Sequence, residues 1–305
     1  MTTHAMTPEL ACKKLSEAGF TLLPSDVTIE PRDDRWLVRI PGRRVAWFAA
    51  NDAGAQRMTT ERRVLRLLQT RCAFEVPRVL FENALGSFDV RTMVGSDVDP
   101  REIDTRACED VEFARATGKA LGTILADQHS HIGLPDVANW LPLRPSWPKP
   151  RDWIGEQLQA VTNDRELLKR ADIVMKIYEE LRIQEADCAL VHTDVGMHNL
   201  ALDQARVVRG LFDYEEAAWA DRHHDFRYLV FDGDRGELLE GALSAYESVT
   251  GYAIQRDRVL LYNASCALTY LAYRAGTSPA ERSYGRTLEE DLRWSKSAIE
   301  RVLAG

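Results

Sequence analysis

The pattern of the chain changes once, near Gly95, and this limits the fold more than any other feature. Before it lie short apolar runs divided by turn residues. After it lie long stretches with helical spacing. Val27-Thr28-Ile29, Trp36-Leu37-Val38-Arg39-Ile40 and Val45-Ala46-Trp47-Phe48 are separated by Pro31-Arg32-Asp33-Asp34 and Pro41-Gly42-Arg43, which reads as a three-stranded antiparallel meander. A helix around Glu61-Arg62-Arg63-Val64-Leu65-Arg66-Leu67-Leu68 follows, then strand candidates at residues 78–82 and 87–94. Five strands with one main helix make a small α+β lobe over residues 1–95. Residues 96–305 read as a larger, mostly helical lobe, with helices over 110–131, two within 152–182, and others over 223–250, 256–275 and 285–303. The run Leu141–Pro150 is too rich in proline for a regular element.

A length of 305 residues favours two lobes over one core. With 45% hydrophobic and 28% charged residues the composition is that of a globular enzyme. No apolar run is long enough for a bilayer, and no basic-then-apolar start suggests a signal peptide, so no membrane association is expected. A formal charge of −8 argues against a nucleic-acid binder and suits a cationic small substrate, or simply keeps the chain in solution. The five cysteines are scattered without a Cys-x-x-Cys pair. They read as reduced thiols of a cytoplasmic protein; a monomer or homodimer is expected.

Leu190-Val191-His192-Thr193-Asp194-Val195-Gly196-Met197-His198-Asn199, followed by Gly210-Leu211-Phe212-Asp213-Tyr214-Glu215, carries the chemistry. An apolar strand precedes each acidic group. Asp194 is suited to accept a proton from a substrate hydroxyl, and Asn199 and Asp213 to hold Mg²⁺ on a nucleotide. Each residue alone also fits a turn or helix cap; their joint spacing favours the chemical reading. His192 reads as a residue that holds the loop, not as the base.

His192-x-Asp194-x-x-x-x-Asn199, then Phe212-Asp213-Tyr214-Glu215, then Asp221 and Asp225, resembles the aminoglycoside phosphotransferase / choline kinase-like family. The resemblance covers most of the chain. It implies a protein-kinase-like two-lobed α+β fold and transfer of the γ-phosphoryl group of ATP or GTP, with Mg²⁺, to a small-molecule hydroxyl. It further implies Asp194 as catalytic base, Asn199 and Asp213 as metal ligands, and Asp225 as a brace of the catalytic loop. An adenine-receiving hinge is implied near Thr92-Met93-Val94.

The family usually carries a lysine or arginine on the third strand, paired with a glutamate on the following helix. Glu61 fits the glutamate. On the third strand Ala46 takes the adenine-facing position, which leaves Phe48 where the cation should be. Either Arg39, on the neighbouring strand, reaches the phosphates from the side, or Arg39 itself lies on the cation-bearing strand; the first is preferred. The turn Pro31–Arg35 lacks glycine, so close backbone approach to phosphate is restricted. Arg32 or Arg35 would then compensate, or be ordinary turn charges. These departures leave open a catalytically impaired, pseudokinase-like binding protein as the alternative.

For the acceptor, Glu215, Glu216 and Asp221 are the acidic candidates for a cationic alcohol of the aminoglycoside or amino-alcohol kind. Glu289-Glu290-Asp291 reads as a solvated helix face. Trp140, Trp147 and Trp153 read as an aromatic wall or, for at least two of them, as packing.

Overall fold

The computed structural model describes residues 5–96, 98–230, 236–278, 281–283 and 285–304. In chain order the elements are α1 (Pro8–Ser16), β1 (Thr28–Arg32), β2 (Arg35–Ile40), β3 (Arg44–Ala49), α2 (Asp52–Arg71), β4 (Val79–Glu82), β5 (Phe88–Thr92), α3 (Pro100–Glu109), α4 (Val111–His131), α5 (Leu134–Val137), α6 (Arg151–Val161), α7 (Arg165–Glu180), β6 (Cys188–Val191), β7 (Leu200–Leu202), β8 (Val208–Leu211), β9 (Ala218–Asp221), α8 (Gly236–Thr250), α9 (Arg256–Ala272) and α10 (Leu288–Leu303). They form two compact units, Met1–Val98 with Asn199–Ala217, and Asp99–His198 with Ala218–Gly305. A boundary at residue 95 does not anticipate the return of Asn199–Ala217 to the first unit.

The first unit is built on a five-stranded antiparallel sheet in the order β1-β2-β3-β5-β4. Side chains alternate across it. Val38, Ile40, Ala46, Phe48, Phe88 and Val90 face one way and enclose Ala11 and Leu15 of α1. Phe48 stacks on Phe88 with ring centres 5.0 Å apart. The other face carries Asp89 and Arg91, which bond to Arg62 and Glu61 of α2. Asn51 caps α2 by accepting the Gly54 N–H at 3.0 Å, satisfying one of the donors a helix start leaves over. The β7–β8 hairpin joins this unit through Glu75, whose N–H donates to the Arg209 carbonyl (2.9 Å) and whose carbonyl accepts from Leu211 (3.1 Å).

In the second unit α6, α7, α9 and α10 enclose a core that includes Leu158, Met175, Leu268 and the fully buried Trp294. Helix α4 packs along α8, and β6 pairs antiparallel with β9. Residues 223–230, expected as helix, belong to a 3-10 run, Arg222–Val230. The same expectation covered 231–235, which lie outside the described residues. Helix α3, which buries only Ile103 and Ala107, was not expected. Among the described residues no helix is long and apolar enough to cross a membrane.

Candidate active site

In the second unit, β6 delivers the chain into His192-Thr193-Asp194. Fully buried Asp225 organises that turn by accepting the backbone N–H groups of His192 (2.9 Å) and Thr193 (2.8 Å). His129 Nε2 adds a third bond at 3.1 Å, and Gln128 Nε2 lies at 3.4 Å. Burial pushes the Asp225 carboxyl up. The His129 hydrogen bond and the His192 N–H more than offset this and hold it below the usual carboxylate range. Burial pushes the His129 imidazole down, so it is neutral; Nε2–H donates to Asp225 and Nδ1 accepts from the Tyr246 hydroxyl at 3.1 Å. Thr193 has φ +71°, a conformation that a β-branched residue rarely adopts. Its N–H is held by Asp225 and its carbonyl accepts from buried Arg227. The turn is therefore strained and held from both sides.

Asp194 is partly exposed. Its N–H donates to His192 Nδ1 at 3.2 Å, and its Oδ2 lies 3.1 Å from His198 Nε2. Burial raises the Asp194 carboxyl. The bond and charge of His198, with the charge of Arg227, outweigh this and keep it below the ordinary aspartate range.

In the first unit, Asn199 immediately precedes β7 and Asp213 follows β8 by two residues. Leu200 pairs with Leu211, and the Phe212 N–H donates to the Asn199 carbonyl at 3.1 Å. Both residues therefore lie at one end of one hairpin. Asp213 has φ +70°. An amide oxygen and a carboxylate are the hard donors that Mg²⁺ takes. Among the described residues no group of three or more His, Cys, Asp or Glu side chains could enclose a metal ion.

Glu61, 3% exposed, meets Arg91 Nη1 of β5 at 2.6 Å and lies 4.0 Å from Arg35 Nη1 of β2. Arg91 also forks onto Asp89, at 2.7 and 3.0 Å. Ala46 and Phe48 do not share this face. They pair with Val90 and Phe88 on the α1 side. The adenine-facing expectation for Ala46 is thereby overturned: the face is set one residue along, and a shift of one reverses every side chain. Trp47, the direct partner of Asp89, is the β3 residue on the Glu61 side. Arg39, expected to reach the phosphates from the side, is exposed and bound to Glu30 at 2.7 Å. Thr92 and Met93 donate their N–H groups to the Arg78 and Arg43 carbonyls, at 3.0 and 2.8 Å. Of the expected hinge Thr92-Met93-Val94, the first two amides are thus already engaged within the sheet region.

The sequence model of the phosphotransferase enzyme family matches residues 26–259. The chain belongs to this family. The phosphotransferase shares its protein-kinase-like fold with solved structures at low identity. A point mutant of aminoglycoside 2'-phosphotransferase-IIIa with GDP aligns at TM-score 0.69 and 13% identity, over 98% of this chain and 97% of that one. Macrolide 2'-phosphotransferase MphH from Brachybacterium faecium aligns at 0.64 and 14%, over 96% and 98%. A type I macrolide 2'-phosphotransferase aligns at 0.62 and 18%, over 99% of each. No curated protein sequence is significantly similar.

The acidic residues expected at the acceptor are otherwise employed in this phosphotransferase. Asp221 is fully buried. It pairs with His223 Nδ1 and Arg258 Nε, both at 2.6 Å, and accepts from the Tyr262 hydroxyl. It holds the second unit's interior and lines no surface. Glu215 and Glu216 belong to the first unit, where Glu215 pairs with Arg35 and Glu216 lies 3.4 Å from Arg57. In the 289–291 cluster, Glu290 forms a capping box with Thr287, and Asp291 is buried against Arg274 and Arg286, at 2.6 Å each. Only Glu289 of the three is exposed. Trp147 packs on Tyr270 and Tyr273, and Trp153 on Tyr273; the Trp140 Nε1–H donates to the Asp136 carbonyl at 3.1 Å. Arg91 and Arg227 were not read from the sequence. Each sits where periodicity is silent about charge, Arg91 inside an alternating strand and Arg227 in a 3-10 run.

Proposed function

We propose that this phosphotransferase moves the γ-phosphoryl group of ATP or GTP to a hydroxyl of a small, cationic molecule. The observation that carries the proposal is the β7–β8 pairing, which brings Asn199 and Asp213 to one hairpin end with Phe212 N–H on the Asn199 carbonyl at 3.1 Å. Two oxygen donors so presented suit a metal ion on phosphate oxygens. When bound, Mg²⁺ neutralises charge that builds on the phosphates during transfer.

Asp194 is the catalytic base of this reading. Its carboxyl stays ionised well below neutral pH, so it is ready to accept the proton of the acceptor hydroxyl. As that oxygen bonds to the γ-phosphorus, the bond to the β–γ bridging oxygen breaks, and the nucleoside diphosphate leaves with the electron pair. Asp225 and His192 fix the Asp194 backbone and do not touch the reacting atoms. Glu61 anchors the sheet cations. The relatives named above are phosphotransferases of aminoglycosides and macrolides, and the formal charge of −8 favours a cationic acceptor through long-range attraction.

Calorimetric titration of ATP and GTP, with and without Mg²⁺, tests the nucleotide half on wild type and Asp213→Ala. Metal-dependent binding that Asp213→Ala removes is the expected result. A radiolabelled transfer assay over aminoglycosides, macrolides and amino-alcohols tests the other half. Binding of nucleotide without transfer to any of these classes would favour the binding-protein alternative, and no nucleotide binding at all would end the proposal.

A further inference from the structure

The third strand offers no cation on the face where Glu61 lies. That face carries Trp47, paired with Leu37 on one side and Asp89 on the other. A phosphate-binding charge on that face must come from outside β3, and two arginines approach Glu61. Arg91 is fully committed: Glu61 and Asp89 occupy Nη1, Nε and Nη2 at 2.6 to 3.0 Å. Arg35 is not.

Arg35 stands at the start of β2, opposite Ala49. Its side chain is 6% exposed and crosses the Trp47 ring, with the guanidinium carbon 4.8 Å from the ring centre. Nε donates to Asp34 at 3.2 Å. Nη2 pairs with Glu215, two residues after Asp213. Nη1 points towards Glu61, 4.0 Å away, and makes no hydrogen bond among the described residues. A buried guanidinium with an unused donor is costly unless something completes it. The guanidinium thus lies between the α2 carboxylate and the segment that bears Asp213, over the strand position where a lysine is missing.

We propose that Arg35 is the phosphate-binding cation of the nucleotide site and that it replaces the absent third-strand lysine from the neighbouring strand. Asp34 is its fixed anchor, and Glu61, 4.0 Å away, is the nearby countercharge. Glu215 is its exchangeable partner, which holds Nη2 until phosphate oxygens compete for it. A guanidinium serves better than an ammonium here, because its fork binds a carboxylate and a phosphate at once. Arg57, which reaches Asp34 at 3.1 Å and Glu216 at 3.4 Å, keeps the local carboxylates from being left without countercharge when Arg35 turns to phosphate.

The inference rests on the nucleotide reading above, and its test separates the two. Adenosine, ADP and ATP are titrated with Mg²⁺ into wild type, Arg35→Gln, Arg39→Gln, Glu215→Gln and the double variant Arg35→Gln/Trp47→Lys, with thermal unfolding run on each. Arg35→Gln should lose ATP and ADP affinity by on the order of tenfold to a hundredfold, the weight of a charge-assisted hydrogen bond or two, while adenosine affinity holds. Glu215→Gln should bind ATP more tightly, since phosphate no longer competes with a carboxylate. Trp47→Lys should restore part of the ATP affinity lost by Arg35→Gln, because it returns a cation to the same face. Equal ATP affinity in Arg35→Gln and wild type, or a loss in Arg39→Gln instead, overturns the assignment. If Arg35→Gln does not fold, unchanged or weaker ATP binding in Glu215→Gln overturns it. A wild type that binds none of the ligands defeats the nucleotide reading itself.

Discussion

Arg91 of β5 and Glu61 of α2 meet at 2.6 Å in an interior where both are almost without solvent. The pair fixes the helix to the sheet through β5, two strands from where Arg35 approaches the same carboxylate. Burial works against the Arg91 charge, but Glu61 and Asp89 outweigh it, so the guanidinium stays charged. Arg91→Met leaves buried Glu61 without its 2.6 Å partner and buried Asp89 with Arg62 alone. Such a break costs about 3–5 kcal/mol. Chemical denaturation should show a loss of that order for Arg91→Met and almost none for exposed Arg66→Ala, which gives up only a surface pair with Glu82. Equal midpoints for the two variants would remove Arg91 from the framework of the site.

Asp194→Asn keeps the shape of the side chain and an oxygen for His198, but it cannot take a proton. It should lower kcat by about 10²- to 10⁴-fold, the usual weight of a positioned base. Nucleotide affinity measured by calorimetry should stay within about twofold, since this reading gives Asp194 no part in holding nucleotide. Full transfer activity in Asp194→Asn would mean that the base is elsewhere.

What the sequence made legible was local. Asp194, Asn199 and Asp213 fall within one short stretch, so spacing and the flanking apolar strands single them out together as candidates. The strands at 36–40, 45–48 and 87–94 were likewise visible as β2, β3 and β5. The face of β3 was not. Val45-Ala46-Trp47-Phe48 is apolar throughout, so no alternation marks which pair looks towards α2. Placing Ala46 and Phe48 there was therefore a slip of one residue. Arg39 and Arg35 lie on one strand, and only the distance to Glu30 against that to Glu61 separates them. Asp221 sits beside the site motif in sequence, yet Tyr262 and Arg258, some forty residues on, draw it into the interior. Long-range pairing of buried charges leaves no periodic trace.

Gly210 tests how closely the hairpin that carries Asn199 and Asp213 must fit. A Cβ at this position would lie 1.8 Å from the Glu75 carbonyl oxygen, and backbone cannot swing aside as a side chain can. Gly210→Ala must push β8 away from Glu75 and break the bridge to it. A stability loss of about 1–3 kcal/mol is expected, as for other overpacked positions, together with weaker metal-dependent nucleotide binding. Gly155→Ala, inside α6 where nothing lies within 4 Å of the added carbon, should leave binding unchanged and raise stability by about 0.5–1 kcal/mol. Normal Mg²⁺-dependent binding in Gly210→Ala would show that the hairpin end tolerates displacement.

Acid should weaken the fold before it titrates the carboxylates, and His224 is the main reason. It is 2% exposed and stacks on Tyr262 with ring centres 4.0 Å apart. Burial, and then the charge of Arg227, push its imidazole down from 6.5 to about 3. The folded chain thus keeps it neutral where the unfolded chain protonates it. The unfolded state binds the extra proton between those two values, so stability is full above 6.5 and declines as pH falls through that range. The decline is about 1.4 kcal/mol per pH unit, or about 2 kcal/mol by pH 5. His129, shifted the same way by burial, adds to it. His224→Phe preserves the stack on Tyr262 and removes the proton site. Urea unfolding at about pH 7.5 and about pH 5 should therefore show a smaller acid loss in the variant, by about 2 kcal/mol. An identical acid loss in both proteins would mean that His224 is protonated in the folded chain and that its burial does not govern the acid limit.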